Sequence, residues 1–235
     1  MLYLLDATAP SSPFPDVENA ETEPDGLLAV GGDLSPERLI NAYRQGIFPW
    51  YSEGQPILWW SPDPRLVMFP EQLRVSRSLS KTLRRGIFST TMDHAFDRVI
   101  RACSAPRAED TGTWLVKDMV QAYGLLHRHH LAHSVEVWAD GELVGGLYGV
   151  ALGRVFFGES MFSRRSDASK VALVHLTQQL GAWGYRLIDC QVRTEHLVRM
   201  GAQELPRAEF IRLLETWNSI PGREGSWRDA GPLSP

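Results

Sequence analysis

The stretch from His133 to Phe162 leaves this chain the fewest alternatives. His133 to Trp138 alternates in the manner of a strand, Asp140-Gly141 is a two-residue hairpin signal, and Glu142 to Leu152 reads as the return strand. Gly153 turns the chain into a third strand, Arg154 to Phe162. The polar loop Ser163–Asp167 leads into an amphipathic helix over Ala168–Trp183, Gly184 ends it, and residues 185–191 form a further strand. Helical spacing predicts helices at 76–85, 93–103 and 117–128 ahead of these strands. Behind them come a short helix capped by Thr194 and a last one over Arg207–Trp217. This order predicts an α/β fold built on a mixed sheet.

The first sixty residues are rich in turns and aromatics. Ser35 is placed to cap a helix with Pro36 at its first position, running past Tyr43 and stopping at Gly46. Prolines on both sides of Asp63 break regular structure, which predicts a small N-terminal domain (1–63) and a larger one (64–235). Charge changes sign at the same place. Residues 1–63 carry two arginines against ten acids, and residues 64–101 carry eight Lys/Arg against three. Arg77, Lys81, Arg84 and Arg85 follow the spacing of one helical face, either a solvated surface or a contact for a polyanion.

Several classes are excluded. No run of eighteen apolar residues exists to span a membrane, and Met1–Asp6 lacks the basic start and length of a signal peptide. Cys103 and Cys190 make neither a disulfide framework nor a zinc site, which points to a reducing cytoplasm. His127, His129, His130 and His133 have no Glu or Cys to complete a metal motif, so no metal is expected.

Chemistry concentrates elsewhere. In an extended strand Asp189 and Gln191 share a face and can hydrogen-bond each other, while Cys190 points to the packed side. The carboxamide oxygen is then free to meet an incoming amine. Glu159 lies in an apolar strand, paired with an Arg or functional; strict alternation groups it with Phe157 and Met161, and a bulge at Gly158 would bring it beside Phe156. Leu173, Leu176 and Leu180 form a stripe that is plain core or the floor of an apolar cavity walled by Leu147 and Phe156. Trp50 and Trp114, both in loop contexts, are packing anchors or stacking platforms for a nucleic-acid base.

The chain resembles the bacterial leucyl/phenylalanyl-tRNA–protein transferases. The matching runs are Gly26-Leu-Leu-Ala-Val-Gly-Gly-Asp-Leu-Ser-Pro, Gly46-Ile-Phe-Pro-Trp, Trp59-Trp-Ser-Pro-Asp-Pro-Arg, His133-Ser-Val-Glu-Val-Trp, Gly145-Gly-Leu-Tyr-Gly-Val, Gly158-Glu-Ser-Met-Phe-Ser and Leu187-Ile-Asp-Cys-Gln-Val. The resemblance implies a small N-terminal domain followed by one similar to the acyl-CoA N-acetyltransferase fold. It also implies transfer of Leu or Phe, with Met a third candidate, from aminoacyl-tRNA to the N-terminal Arg or Lys of a protein, marking it for degradation. Aminoacyl-tRNA is then a co-substrate and no cofactor is needed; a monomer is expected separately, because the sequence shows no exposed apolar seam. By position, the resemblance assigns Trp50 and Trp114 to the terminal adenosine. Leu147, Phe156, Leu173, Leu176, Leu180 and Ile188 take the amino-acid side chain, and Asp189, Gln191 and Glu159 form the catalytic centre. His130 stands where the family has glycine. The two acids would also give the pocket a negative charge suited to a cationic acceptor. For this chemistry Asp189 and Gln191 must lie on the same side of the sheet as Phe156.

Two rivals remain at this level. An acyl-CoA-dependent N-acyltransferase needs a glycine-containing pyrophosphate loop, and Ser163–Lys170 has no glycine. A non-catalytic RNA-binding module leaves Asp189, Gln191 and the apolar pocket without a role.

Overall fold

The computed structural model describes residues 2–105 and 115–230. Chain order begins with β1 (Tyr3–Leu5), β2 (Leu27–Gly31), α1 (Pro36–Arg44), β3 (Phe48–Pro49) and β4 (Leu58–Trp60). It continues through β5 (Arg65–Met68), α2 (Arg77–Arg84), β6 (Ser89–Met92), α3 (Phe96–Ser104) and α4 (Lys117–Arg128). The expected meander follows as β7 (Ala132–Ala139), β8 (Glu142–Leu152) and β9 (Val155–Ser163). Then come α5 (Ala168–Ala182), β10 (Leu187–Gln191), α6 (Glu195–Arg199), β11 (Gln203–Leu205) and α7 (Arg207–Asn218).

Among the described residues the strands form two sheets, ordered β1-β2-β4-β3 and β11-β5-β10-β9-β8-β7-β6. The larger sheet is mixed: β9 and β10 run parallel, joined by α5, and its other pairs are antiparallel. Asp140 and Gly141 both have positive φ, at 52° and 78°, the geometry that a tight hairpin turn demands. α1 starts as its residues suggest, with the Ser35 hydroxyl accepting the Arg38 N–H and Pro36 at the first position. α3 begins at Phe96, three residues later than the periodicity suggests. The reason lies in Glu136, whose buried carboxylate accepts the N–H groups of His94 and Ala95 and so sets where the helix starts.

Two apolar layers cover the larger sheet. One holds Val155, Phe157 and Leu187 with α1, α3, α4 and α7. The other holds Phe156, Leu147 and Ile188 against α5. A tail residue, Trp227, completes the second layer: it is fully buried, stacks on His133 at 3.7 Å, and meets Phe156, Trp183 and Tyr185. Its backbone N–H donates to Asp93 Oδ2 at 2.7 Å, the same oxygen that faces His133 Nδ1 at 2.9 Å. His130 ends α4 with φ at 58°, so it sits in the left-handed conformation that glycine adopts without strain.

Candidate active site

β9 and β10 pair only from Val155/Leu187 to Phe157/Asp189. Beyond that point the two strands diverge although both continue, and a gap opens in the middle of the sheet. A cavity of about 350 Å³ occupies it, lined by Leu147, Phe156, Met161, Leu173, Leu176, Ile188 and Leu197 on its apolar side. Glu159, Asp189, Cys190 and Gln191 border the same space. A smaller cavity of about 110 Å³ adjoins it, formed by Phe48, Pro49, Trp50, Glu159, Gln191 and Val192.

Local irregularities in both strands aim the polar groups. Gly158 pairs with Gly149 and Ser160 with Tyr148, leaving Glu159 bulged between them. Gly149 is required there, since a Cβ would lie 2.1 Å from the Phe157 carbonyl oxygen. The bulge leaves Glu159 on the Phe157 side and moves Met161 to the side of Phe156, against Leu147. In β10 the register shifts between Asp189 and Gln191, and Gln191 adopts φ of 64°.

These irregularities overturn the expected Asp189–Gln191 side-chain pair. Asp189, fully buried, instead accepts two bonds from Arg65, Nε to Oδ1 at 2.8 Å and Nη2 to Oδ2 at 2.6 Å. Its Oδ1 also accepts the Gln191 backbone N–H at 2.9 Å, which holds the left-handed turn. The Gln191 carboxamide Nε2 donates to Glu159 Oε1 at 2.9 Å. Cys190, half-buried, packs against the second apolar layer and also borders the large cavity, where burial pushes its thiol well up. The requirement that Asp189 and Gln191 share the side of Phe156 also fails: Asp189 falls on the side of Leu187, opposite Phe156 and Ile188, and the Gln191 carboxamide reaches Glu159 on that same side. The splay between β9 and β10 resolves the difficulty, because one cavity passes through the sheet and touches both layers.

Arg65 is the residue that sequence reasoning missed. Its guanidinium lies between the rings of Phe48 and Phe210, 4.7 and 4.8 Å from their centroids. It offsets the charge of Asp189, so the expected doubly negative pocket is not what this pairing makes. The signal was an arginine heading the apolar run Leu66-Val67-Met68, a position that calls for a buried acid partner. Tyr43 from α1 and Tyr123 from α4 were missed as well. Their hydroxyls lie 2.7 Å from Glu159 Oε1 and Oε2 and 2.6 Å from each other.

Burial raises the Glu159 carboxyl from 4.5 to about 7, opposed by the hydrogen bonds of Tyr123 and Tyr43 and reinforced by the charge of Asp189. The sign for stability follows. A carboxyl with a raised pKa in the fold contributes fully below its unfolded value and loses that contribution as pH rises through about 7. Glu159→Gln will therefore gain stability over the parent between pH 5 and pH 8, by on the order of 2–3 kcal/mol at the upper end. Urea melts at both pH values read the difference; equal gains at the two would contradict a raised pKa.

The other expected residues fall into three groups. Leu180 is buried one turn beyond Leu176 and does not line the cavity. Trp50 is 41% exposed at the rim, its ring 5.8 Å from Trp60, whose Nε1 donates to the Trp50 carbonyl. Trp114 lies outside the described residues. Arg77, Lys81, Arg84 and Arg85 are all exposed on or beside α2, and none pairs with an acid among the described residues. Apart from these, Thr194 and His196 border the large cavity.

An apolar chamber that opens onto a carboxamide and a buried acid suits the transfer of an activated acyl group to an amine. Comparison with known proteins places the chain more narrowly. A family model described as leucyl/phenylalanyl-tRNA protein transferase matches residues 67–215, and one for the N-terminal domain of the same family matches 32–63. A leucyl/phenylalanyl-tRNA–protein transferase of Nitrosomonas europaea is 60% identical over 216 residues, 92% of each chain. One from Alkalilimnicola ehrlichii is 57% identical over 235 residues, all of this chain and 91% of the relative. The chain belongs to the leucyl/phenylalanyl-tRNA–protein transferase family. Among solved structures, a GCN5-related N-acetyltransferase from Kribbella flavida aligns with a TM-score of 0.38 at 15% identity, covering 73% of this chain and 61% of that one.

Proposed function

We propose that this protein moves Leu or Phe from the 3′ end of an aminoacyl-tRNA to the α-amine of an N-terminal Arg or Lys. The observation that carries this reading is the chamber between β9 and β10, where apolar walls meet Gln191 and Glu159. Leu147, Phe156, Leu173, Leu176 and Ile188 hold the amino-acid side chain. Trp50 stacks on the terminal adenosine over the smaller cavity, with Trp114 as its proposed partner; ring stacking contributes roughly 1–3 kcal/mol per base. The preference for Arg or Lys rests on the family resemblance, since Arg65 offsets the charge of Asp189. Met as a third substrate fits the same apolar chamber, because its unbranched side chain adapts to walls of Leu, Ile and Phe.

The ester is already activated, so the site needs alignment and a place for one proton. An α-amine of pKa near 8 leaves roughly a tenth of acceptors neutral at pH 7. The Gln191 carbonyl accepts a hydrogen bond from that amine as it attacks. The C–N bond forms, the C–O bond to the ribose breaks, and the amine proton leaves to water or to the ribose oxygen. No cofactor enters this scheme, and the cytoplasm, where charged tRNA is found, is the compartment it requires. The small sheet ends at Trp60 and the large one starts at Arg65, which supports a domain boundary at 63/64.

Labelled Leu-tRNA and a peptide beginning with Arg test this reading directly. Transfer supports it, binding without transfer favours an RNA-binding module, and transfer from an acyl-CoA alone favours the other rival. The basic face of α2 is proposed to meet tRNA phosphates. Reversing Arg84 and Arg85 to Glu will weaken tRNA binding and flatten the slope of log affinity against log salt by about 1–2. An unchanged slope returns both residues to ordinary surface.

A further inference from the structure

Three oxygen–oxygen contacts close a triangle beside Gln191: Tyr43 to Tyr123 at 2.6 Å, Tyr43 to Glu159 Oε1 at 2.7 Å, and Tyr123 to Glu159 Oε2 at 2.7 Å. Each phenol has one proton to give, and an ionised carboxylate has none. With Glu159 ionised, two protons serve three contacts and one short contact is bare. A third proton, on the carboxyl, satisfies all three in a single direction. Oε2–H then donates to Tyr123, Tyr123 to Tyr43, and Tyr43 to Oε1. Burial raises both phenols well above their ordinary range, so they keep their protons.

We propose that Tyr43 and Tyr123 are positioning residues for Gln191, acting through a protonated Glu159 whose only proton they occupy. The effect is on the orientation of a carboxamide. A protonated carboxyl with no ring partners is free to donate to the Gln191 carbonyl oxygen, which turns that oxygen away from the substrate. Inside the ring the proton is already engaged, so Glu159 can only accept from Gln191. The amide NH₂ must then face Glu159, as it does at 2.9 Å, and the carbonyl oxygen faces the cavity. This rests on the proposal that the Gln191 carbonyl meets the attacking amine. The titratable groups around Glu159 are Tyr43 from α1, Tyr123 from α4, Tyr148 from β8 and Asp189 from β10, the last paired with Arg65 of β5.

The test is the ratio of parent to Tyr43→Phe/Tyr123→Phe turnover across pH, which cancels the titration of the acceptor amine. Near pH 6, where Glu159 is protonated, the variant will lose roughly ten- to a hundred-fold in kcat. Near pH 9, where an ionised Glu159 can only accept, the deficit will shrink to about three-fold. KM for leucyl-tRNA will hold steady, since neither tyrosine lines either of the two cavities described above. A purely structural role gives a loss that does not vary with pH, and that result overturns the proposal, as does the absence of any loss at pH 6. A melting profile matching the parent keeps misfolding apart from misorientation. Each single Tyr→Phe variant, should the double fail to fold, carries the same test. If Gln191 itself proves dispensable, the proposed function of the site fails; if Gln191 is essential and the ratio is flat, only the ring fails.

Discussion

Arg65→Met will lower the unfolding free energy by about 3–5 kcal/mol, read from urea denaturation at neutral pH. The expected size comes from what stays behind. Asp189 has no exposed surface, and its two oxygens now receive the guanidinium and one backbone N–H. Methionine fills the space between Phe48 and Phe210 but leaves a carboxylate in an apolar layer. Removing that charge as well, in Arg65→Met/Asp189→Asn, will recover more than half of the loss, because the two side chains act as a pair. A loss below about 1 kcal/mol in the single variant would show that water or a proton reaches Asp189 readily, and the fixed turn at Gln191 would lose its support.

The second large effect concerns Gln191. Gln191→Gly will lower kcat by about 10²–10³-fold with KM for leucyl-tRNA changed less than about three-fold. Glycine is the better choice than alanine here. It removes the carboxamide and accepts φ of 64° without strain, so the readout reports chemistry rather than a distorted strand. Single-turnover transfer from labelled Leu-tRNA separates the two parameters. Retention of turnover within about five-fold of the parent would take the carboxamide out of the reaction.

The meander was legible because its signals are local. Asp140-Gly141 specifies its own turn, and alternation over β7 and β8 needs no distant partner. Leu147, Phe156, Leu173 and Leu176 were legible for a similar reason, since helical and strand spacing name a face even when they cannot say whether it borders core or cavity. Ile188 came from the family resemblance, and Met161 and Leu197 were not named as walls. The polar centre was only half legible. Alternation holds for a regular strand, and both strands here depart from regularity at the residue that matters, Glu159 in one and Gln191 in the other. Arg65 is 124 residues from Asp189, and Tyr43 is 80 from Tyr123 and 116 from Glu159. Pairings across such separations are set by the order β11-β5-β10-β9 and by α1 packing from the small domain, and no local pattern encodes either.

The burial of Trp227 bears on how the chain matures. Its indole shares a wall with Phe156, and its amide is held by Asp93, the residue after β6. A ribosome that has released residues 1–191 has already supplied every strand bordering the chamber, yet the Phe156 ring gains its indole neighbour only when residue 227 emerges. The chamber's shape is therefore settled after its strands are made, by a residue 36 positions further along the chain than Gln191.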